Sequence, residues 1–177
     1  MARQTTLTGK ETFFDDNEII VSKTNLKGHI VYCNDVFLKV SGFTEKEVVG
    51  QPHSLIRHPE MPRAVFKLLW DTVQSGKEIF AYVNNRTKTG NNYWVLAHVT
   101  PSRNGANQII GYHSNRRVPD RTILTRQIIP LYEMLLREEK KHSNAKAGMA
   151  ASYEILTKKL EESGMEYDEF IATLQAA

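Results

Sequence analysis

Cysteine is almost missing from this sequence: Cys33 stands alone in 177 residues. An intramolecular disulfide and any multi-cysteine metal site are therefore excluded. Such usage fits a reducing compartment, so a cytoplasmic protein is expected. No stretch approaches the roughly 18 consecutive apolar residues of a spanning helix, and Met1 to Phe13 is polar without the apolar centre of a signal peptide. Direct membrane insertion is not expected. Charge of one sign is lacking as well. Twenty-three Lys and Arg are scattered among 20 Asp and Glu, for a net +3, which leaves no electrostatic footprint for nucleic acid. The common catalytic signatures are absent too: no Gly-rich phosphate loop, no HExxH, no CxxC and no serine nucleophile elbow. No catalytic residue is assigned, and an enzyme is not expected.

What is present is a chain that is 41% hydrophobic, enough for one sizeable core and a smaller appendage. Residues 1–17 are polar and suit an N-terminal cap. Apolar, β-branched runs at Glu18 to Val21 and His29 to Tyr32, joined by Ser22 to Gly28, predict a hairpin. Asn34 and Asp35 are good N-caps for a short helix that Gly42 ends, and Thr44 to Glu47 matches a capping box closed at Gly50. Val65, Phe66, Leu68, Leu69, Trp70 and Val73 fall at helical spacing over Ala64 to Val73. Three strands are predicted next, at Ile79 to Arg86, Asn92 to Thr100 and Gln108 to Asn115, with turn-forming residues between them. On the middle one Tyr93, Val95, Ala97 and Val99 alternate with bulkier neighbours. The smaller set suits a face with room for something flat, or else close packing by the short helices.

The segment Gly50 to Arg63 stands apart. Pro52 and Pro62 bracket Arg57, His58 and Glu60, and proline stiffens the chain while steering its predecessor away from helix. A guanidinium, an imidazole and a carboxylate held together can grip a phosphate-bearing or heteroaromatic ligand. The plain alternative is a surface ion pair between Arg57 and Glu60.

Two strands, three short helices and three antiparallel strands, with Asn34-Asp35-Val36-Phe37, Val40 to Thr44, Gly50-Gln51-Pro52-His53, Arg57 to Pro62, Leu69-Trp70, Asn85 to Gly90 and Tyr93-Trp94-Val95, resemble a PAS domain. In particular they resemble the FAD-binding PAS domain of bacterial aerotaxis, or energy-taxis, receptors. The resemblance implies an α+β fold over 18–118, a five-stranded antiparallel sheet with short helices on one face. It implies non-covalent FAD and a redox- or oxygen-sensing role in chemotaxis, signalled to a separate partner such as a membrane-bound transducer. By position it implies FAD contacts from Arg57, His58, Glu60 and Asn85, the last through an amide that offers donor and acceptor to the flavin's polar edge. His113 falls near the flavin's reactive edge, Trp70 is placed to pack against the ring, and Asn34 is a helix cap first and a ligand contact second. Three positions depart from the pattern. Glu60 replaces an Asp, Ile79 stands where a Trp is frequent, and His53 occupies the place of the photoadduct cysteine of light-oxygen-voltage (LOV) domains. Cysteinyl-flavin photochemistry is therefore not expected.

Residues 119–177 turn helical, with an apolar stripe from Ile123 to Leu135 interrupted at Pro130, a charged run Arg137 to Asn144 expected to be a solvated linker, and two amphipathic helices beyond. They suit a helical output or dimerisation element, and a homodimer is expected. Two rival functions remain: a haem-binding gas sensor with His113 or His58 on the iron, and a cofactor-free interaction module.

Overall fold

The computed structural model describes residues 6–176. Five strands, β1 (Ile20–Asn25), β2 (Ile30–Cys33), β3 (Ile79–Arg86), β4 (Asn92–Arg103) and β5 (Ile109–Arg117), form one antiparallel sheet in the order β2-β1-β5-β4-β3. Between β2 and β3 lie α1 (Asp35–Ser41), α2 (Glu45–Val48), a 3₁₀ turn (His53–Ile56) and α3 (Arg63–Gln74). This is the α+β arrangement that the resemblance implies.

The local signals explain most of the boundaries. Asn34 Oδ1 accepts from the Phe37 N–H at 3.0 Å, and Gly42 takes the left-handed φ of 73° that ends α1. Glu47 accepts from the Thr44 N–H at 2.9 Å, which completes the capping box of α2. Along α3, Ala64, Val65, Leu69 and Val73 are buried toward the sheet. Strands β1 and β5 run further than expected, to Asn25 and Arg117, and the reason is common to both. Their inward side chains include Ser22, Thr24, Ser114 and Arg116, all buried, so the alternation of apolar residues fades before the strand does.

The N-terminal segment is docked. Thr12 N–H donates to Asn92 O at 2.7 Å, Asn92 N–H donates to Lys10 O at 2.9 Å, and Arg121 forms a two-pronged bond with Glu11 at 2.7 and 2.9 Å. After β5 the chain runs through α4 (Arg121–Ile123), a π turn (Leu124–Ile128) and α5 (Ile129–Lys140), then α6 (Ala145–Ser163) and α7 (Tyr167–Ala176). Pro130 does not break the run: it sits in the first turn of α5, where its missing N–H costs little, and the wide π turn lies just before it. The expected linker is likewise corrected. Arg137 to Lys140 is the last turn of α5, and only a short connection separates it from α6, capped by Asn144 Oδ1.

These helices lie against the sheet's β3 side. Tyr132 Oη donates to Tyr82 O at 2.7 Å, its ring tilts against Trp94, α7 contacts β3, and α6 contacts α3. Leu124, Ile128, Tyr132, Leu135, Leu156, Tyr167 and Ile171 thereby join the same apolar core as the sheet. Among the described residues no helix is long and apolar enough to cross a membrane.

Candidate functional site

The site is built by the inward face of the sheet and the helices that cover it. Val83 and Asn85 come from β3, Ala97 and Val99 from β4, Tyr112, Ser114 and Arg116 from β5, and Ser22 and Thr24 from β1. Pairing sets them side by side: Ala97 faces Arg116, Val99 faces Ser114, and Ser22 faces Ser114 across the ladders. Phe66, Leu69 and Trp70 of α3 form the opposite wall. Between them lies a cavity of about 450 Å³. The short side chains at Ala97, Val99 and Ser114 leave this depth, as the pattern on β4 suggested.

Trp70 is fixed from two directions. It stands edge-on to Tyr112 at 5.4 Å and lies against Gly28, where a Cβ would fall 3.1 Å from the indole. Gly28 also has a φ of 76°, so both backbone conformation and space favour glycine there. The mouth of the cavity is basic, with Lys27, Arg57, Arg63 and Lys67 around it. Met149 of α6 also lines it, which makes the C-terminal helices part of the cavity wall.

Arg57 does reach this site. Its guanidinium lies 4.3 Å from the Phe66 ring centroid and donates to Met61 O at 3.0 Å, while its backbone bridges to Asn85. Burial and the neighbouring Arg63 charge pull its pKa down, with Glu139 opposing them. Asn85 is buried and lines the cavity, and its Nδ2 has no protein hydrogen-bond partner. Of the residues singled out in the sequence, Arg57, Asn85 and Trp70 are brought together around the cavity.

The others are placed elsewhere. The His58 N–H extends the edge of β3 by donating to Asn84 O at 3.3 Å, and its ring is buried outside the cavity. Desolvation lowers its pKa, Glu60 partly offsetting this. Glu60 is exposed, with Oε2 3.9 Å from His58 Nδ1. The plain alternative of an Arg57–Glu60 ion pair is therefore not the arrangement among the described residues. His113 points to the outer face of the sheet, paired with Lys23 and Thr100 in the ladders. Burial, with Lys23, Arg116 and His98 nearby, lowers its pKa. Asn34 is a local brace, accepting from the Phe37 and Val21 N–H groups and donating to Ile19 O.

Two residues of the site were missed as ligand contacts. Arg116 is 3% exposed, and its Nη2 donates to His53 Nε2 at 2.6 Å and to Ser22 Oγ at 2.7 Å. Burial brings its pKa down to about 10. His53 lines the cavity beside it, and desolvation with the Arg116 charge pushes its imidazole down to about 3, so it is neutral at ordinary pH. The available signal was the polar run Ser114 to Arg117 in a strand that should carry inward apolar residues.

The donor set fits a planar heteroaromatic ligand with polar edges and an anionic tail. Thr24, Asn85, Ser114 and Arg116 line an otherwise apolar slot, and in each a polar atom (Thr24 Oγ1, Asn85 Nδ2, Ser114 Oγ, Arg116 Nη1) is buried without a protein hydrogen-bond partner. Such groups cost about 1–3 kcal/mol apiece unless something bonds to them. The basic mouth then suits phosphate.

Residues 30–116 match the PAS fold family. The aerotaxis receptor of Escherichia coli (strain K12) is 40% identical over 131 residues, which is 73% of this chain and 25% of that protein. That alignment is longer than the span 30–116, so the similarity runs beyond the family match on at least one side. The nitrogen fixation regulatory protein of Klebsiella oxytoca is 22% identical over 106 residues, 60% of this chain and 21% of that one. The chain thus spans about a quarter or less of these relatives. A solved LOV domain superposes with a TM-score of 0.54 at 18% identity, covering 70% of this chain and 87% of the other, which speaks for the fold. With the sheet order, the helices over its inner face and the sequence match all agreeing, this chain belongs to the PAS-fold proteins, and its PAS region resembles that of the aerotaxis receptor.

Proposed function

We propose that this chain is a sensor rather than an enzyme: it binds FAD non-covalently in the cavity and reports redox or oxygen state from the cytoplasm to a separate signalling protein. The observation that carries this is the pairing of a flat apolar slot with buried, unpartnered polar atoms at its floor and cations at its mouth. Asn85 offers an amide to the polar edge of the ring system, the small floor residues Ala97 and Val99 and the wall residues Phe66 and Trp70 enclose its faces, and Arg57 and Arg63 meet the phosphates. A bound flavin would supply reversible electron transfer coupled to changes of charge and protonation on its ring. Similarity to the aerotaxis receptor supports a membrane-bound chemotaxis transducer as the partner, and the C-terminal helices are the output or homodimerisation element. Support for this role comes from α6, which forms part of the cavity wall through Met149 and packs on α3.

The haem reading has less support, because neither His58 nor His113 lines the cavity, and His53, which does, already accepts at Nε2 from Arg116. Equilibrium dialysis of protein stripped of small molecules against FAD, FMN and haemin tests the proposal. Retention of FAD is expected, with weaker FMN binding because it brings one phosphate fewer to the basic mouth. Failure to retain either flavin overturns it, and retention of haemin alone moves the assignment to a haem sensor.

A further inference from the structure

Arg116 is a buried cation with no counter-charge. It projects from β5 onto the cavity floor, and its Nη2 is engaged by Ser22 and His53, both neutral acceptors. Accepting that bond at Nε2 requires His53 to be the neutral imidazole with its proton on Nδ1. Tyr93 lies close enough to interact electrostatically, but burial raises its pKa and keeps it a neutral phenol. The Phe37 ring is 5.9 Å from the guanidinium carbon. Among the described residues no carboxylate forms an ion pair with Arg116, and its Nη1 is buried without a hydrogen-bond partner on a residue that lines the cavity. Burying an unpaired charge is strongly unfavourable, so a ligand that brings the missing negative charge gains what the folded protein lacks.

We propose that Arg116 determines the charge of the ligand this cavity prefers: its Nη1 takes a negatively charged edge of the bound ring, and Ser22 and His53 are positioning residues that hold the guanidinium in place. This rests on the flavin reading above and deepens it. The oxidised ring is neutral, whereas the reduced ring can carry a negative charge, so the cavity favours the reduced ring as its anion. Asn85, Thr24 and Ser114 are neutral and do not distinguish the two by charge. The phosphates of FAD carry the same charge in both forms and meet the basic mouth. The ratio of affinities for reduced and oxidised FAD therefore isolates the ring.

The test uses the full chain as wild type, R116M, R116Q and R116K. Affinities for oxidised FAD and for dithionite-reduced FAD under anaerobic conditions are measured, together with the melting midpoint without FAD. R116M is expected to lose at least ten times more affinity for reduced than for oxidised FAD, and R116K to keep the wild-type preference. Without FAD, R116M is expected to melt at or above wild type, because an uncompensated buried charge has been replaced by an apolar side chain. An unchanged reduced-to-oxidised ratio overturns the inference, and R116Q decides the same ratio if R116M does not fold. Wild type that binds neither form overturns the flavin reading instead. In that event the melting comparison still decides the charge argument, since R116M and R116Q both melting well below wild type would show Arg116 to be a structural group.

Discussion

Glu139 gives the sharpest test of how the C-terminal helices are joined to the sensor. Pro62, at the N-cap of α3, makes no side-chain cap, yet the first turn of α3 forms one wall of the cavity. The missing acceptor comes from far along the chain: Glu139 Oε1 accepts from the Ala64 N–H at 3.2 Å and from Ser152 Oγ of α6 at 2.9 Å. Gly148 lets α6 seat this closely, since a Cβ there would fall 2.5 Å from Glu139 O. Replacing Glu139 with Ala removes a helix cap, about 0.5–2 kcal/mol, and a side-chain bond, about 0.5–1.5 kcal/mol. Allowing for their partial overlap, the loss is about 1–3 kcal/mol, or roughly 3–9 °C in Tm for a chain of this size. Glu139→Gln keeps the acceptor and loses only the favourable charge at the helix start, about 0.3–1 kcal/mol. Urea unfolding followed by circular dichroism measures both, and trypsin cleavage at Lys140 and Lys141 reports release of α6. The reasoning is refuted if E139A stays within about 0.5 kcal/mol of wild type, or if E139Q is as damaging as E139A.

Other substitutions separate site from scaffold. Asn85→Leu leaves β3 intact but removes the buried amide, and should lower FAD occupancy at least tenfold with a small change in melting, read by the cofactor-to-protein ratio after gel filtration. Gly111→Ala should cost more than about 3 kcal/mol or abolish soluble expression, because its Cβ would stand 2.2 Å from the Thr24 carbonyl oxygen across the β1–β5 pair; normal melting of that variant would contradict the strand register. His53 is pushed down to about 3 in the folded protein from about 6.5 unfolded, so the unfolded chain binds the extra proton between those values. Its contribution is full above about pH 6.5 and is lost as pH falls toward 3, by up to about 4 kcal/mol. Urea midpoints from pH 7 to 4 should therefore fall more steeply for wild type than for H53Q, and parallel curves would count against a buried neutral His53.

Much of the fold was legible because local chemistry and tertiary packing agree. Asn34, Gly42 and the Thr44–Glu47 box mark helix ends that the structure keeps, and the spacing of Val65, Leu69 and Val73 gives the buried face of α3. Reading failed where a strand turns polar groups inward. Ser22 and Thr24 were taken for a turn, and β5 was ended before Arg116, because inward polar residues erase the alternation that identifies a half-buried strand. Those same interruptions are the floor of the cavity. The segment Arg57 to Pro62 was legible as a stiff element carrying chemistry, but sequence spacing could not say which side chains turn inward. Arg57 enters the cavity, while His58 and Glu60 lie along the edge of β3 and the surface. The charged run after Arg137 was misjudged because Glu139 finds its partners on α3 and α6, a pairing that no local pattern reveals.

The most direct test of the central claim is the visible absorption spectrum of the protein as purified, recorded before and after dithionite and followed by chromatography of the heat-released cofactor. The account predicts flavin bands that bleach on reduction and FAD in the released fraction. A colourless protein that added FAD does not restore, or a Soret band in place of the flavin bands, would contradict it.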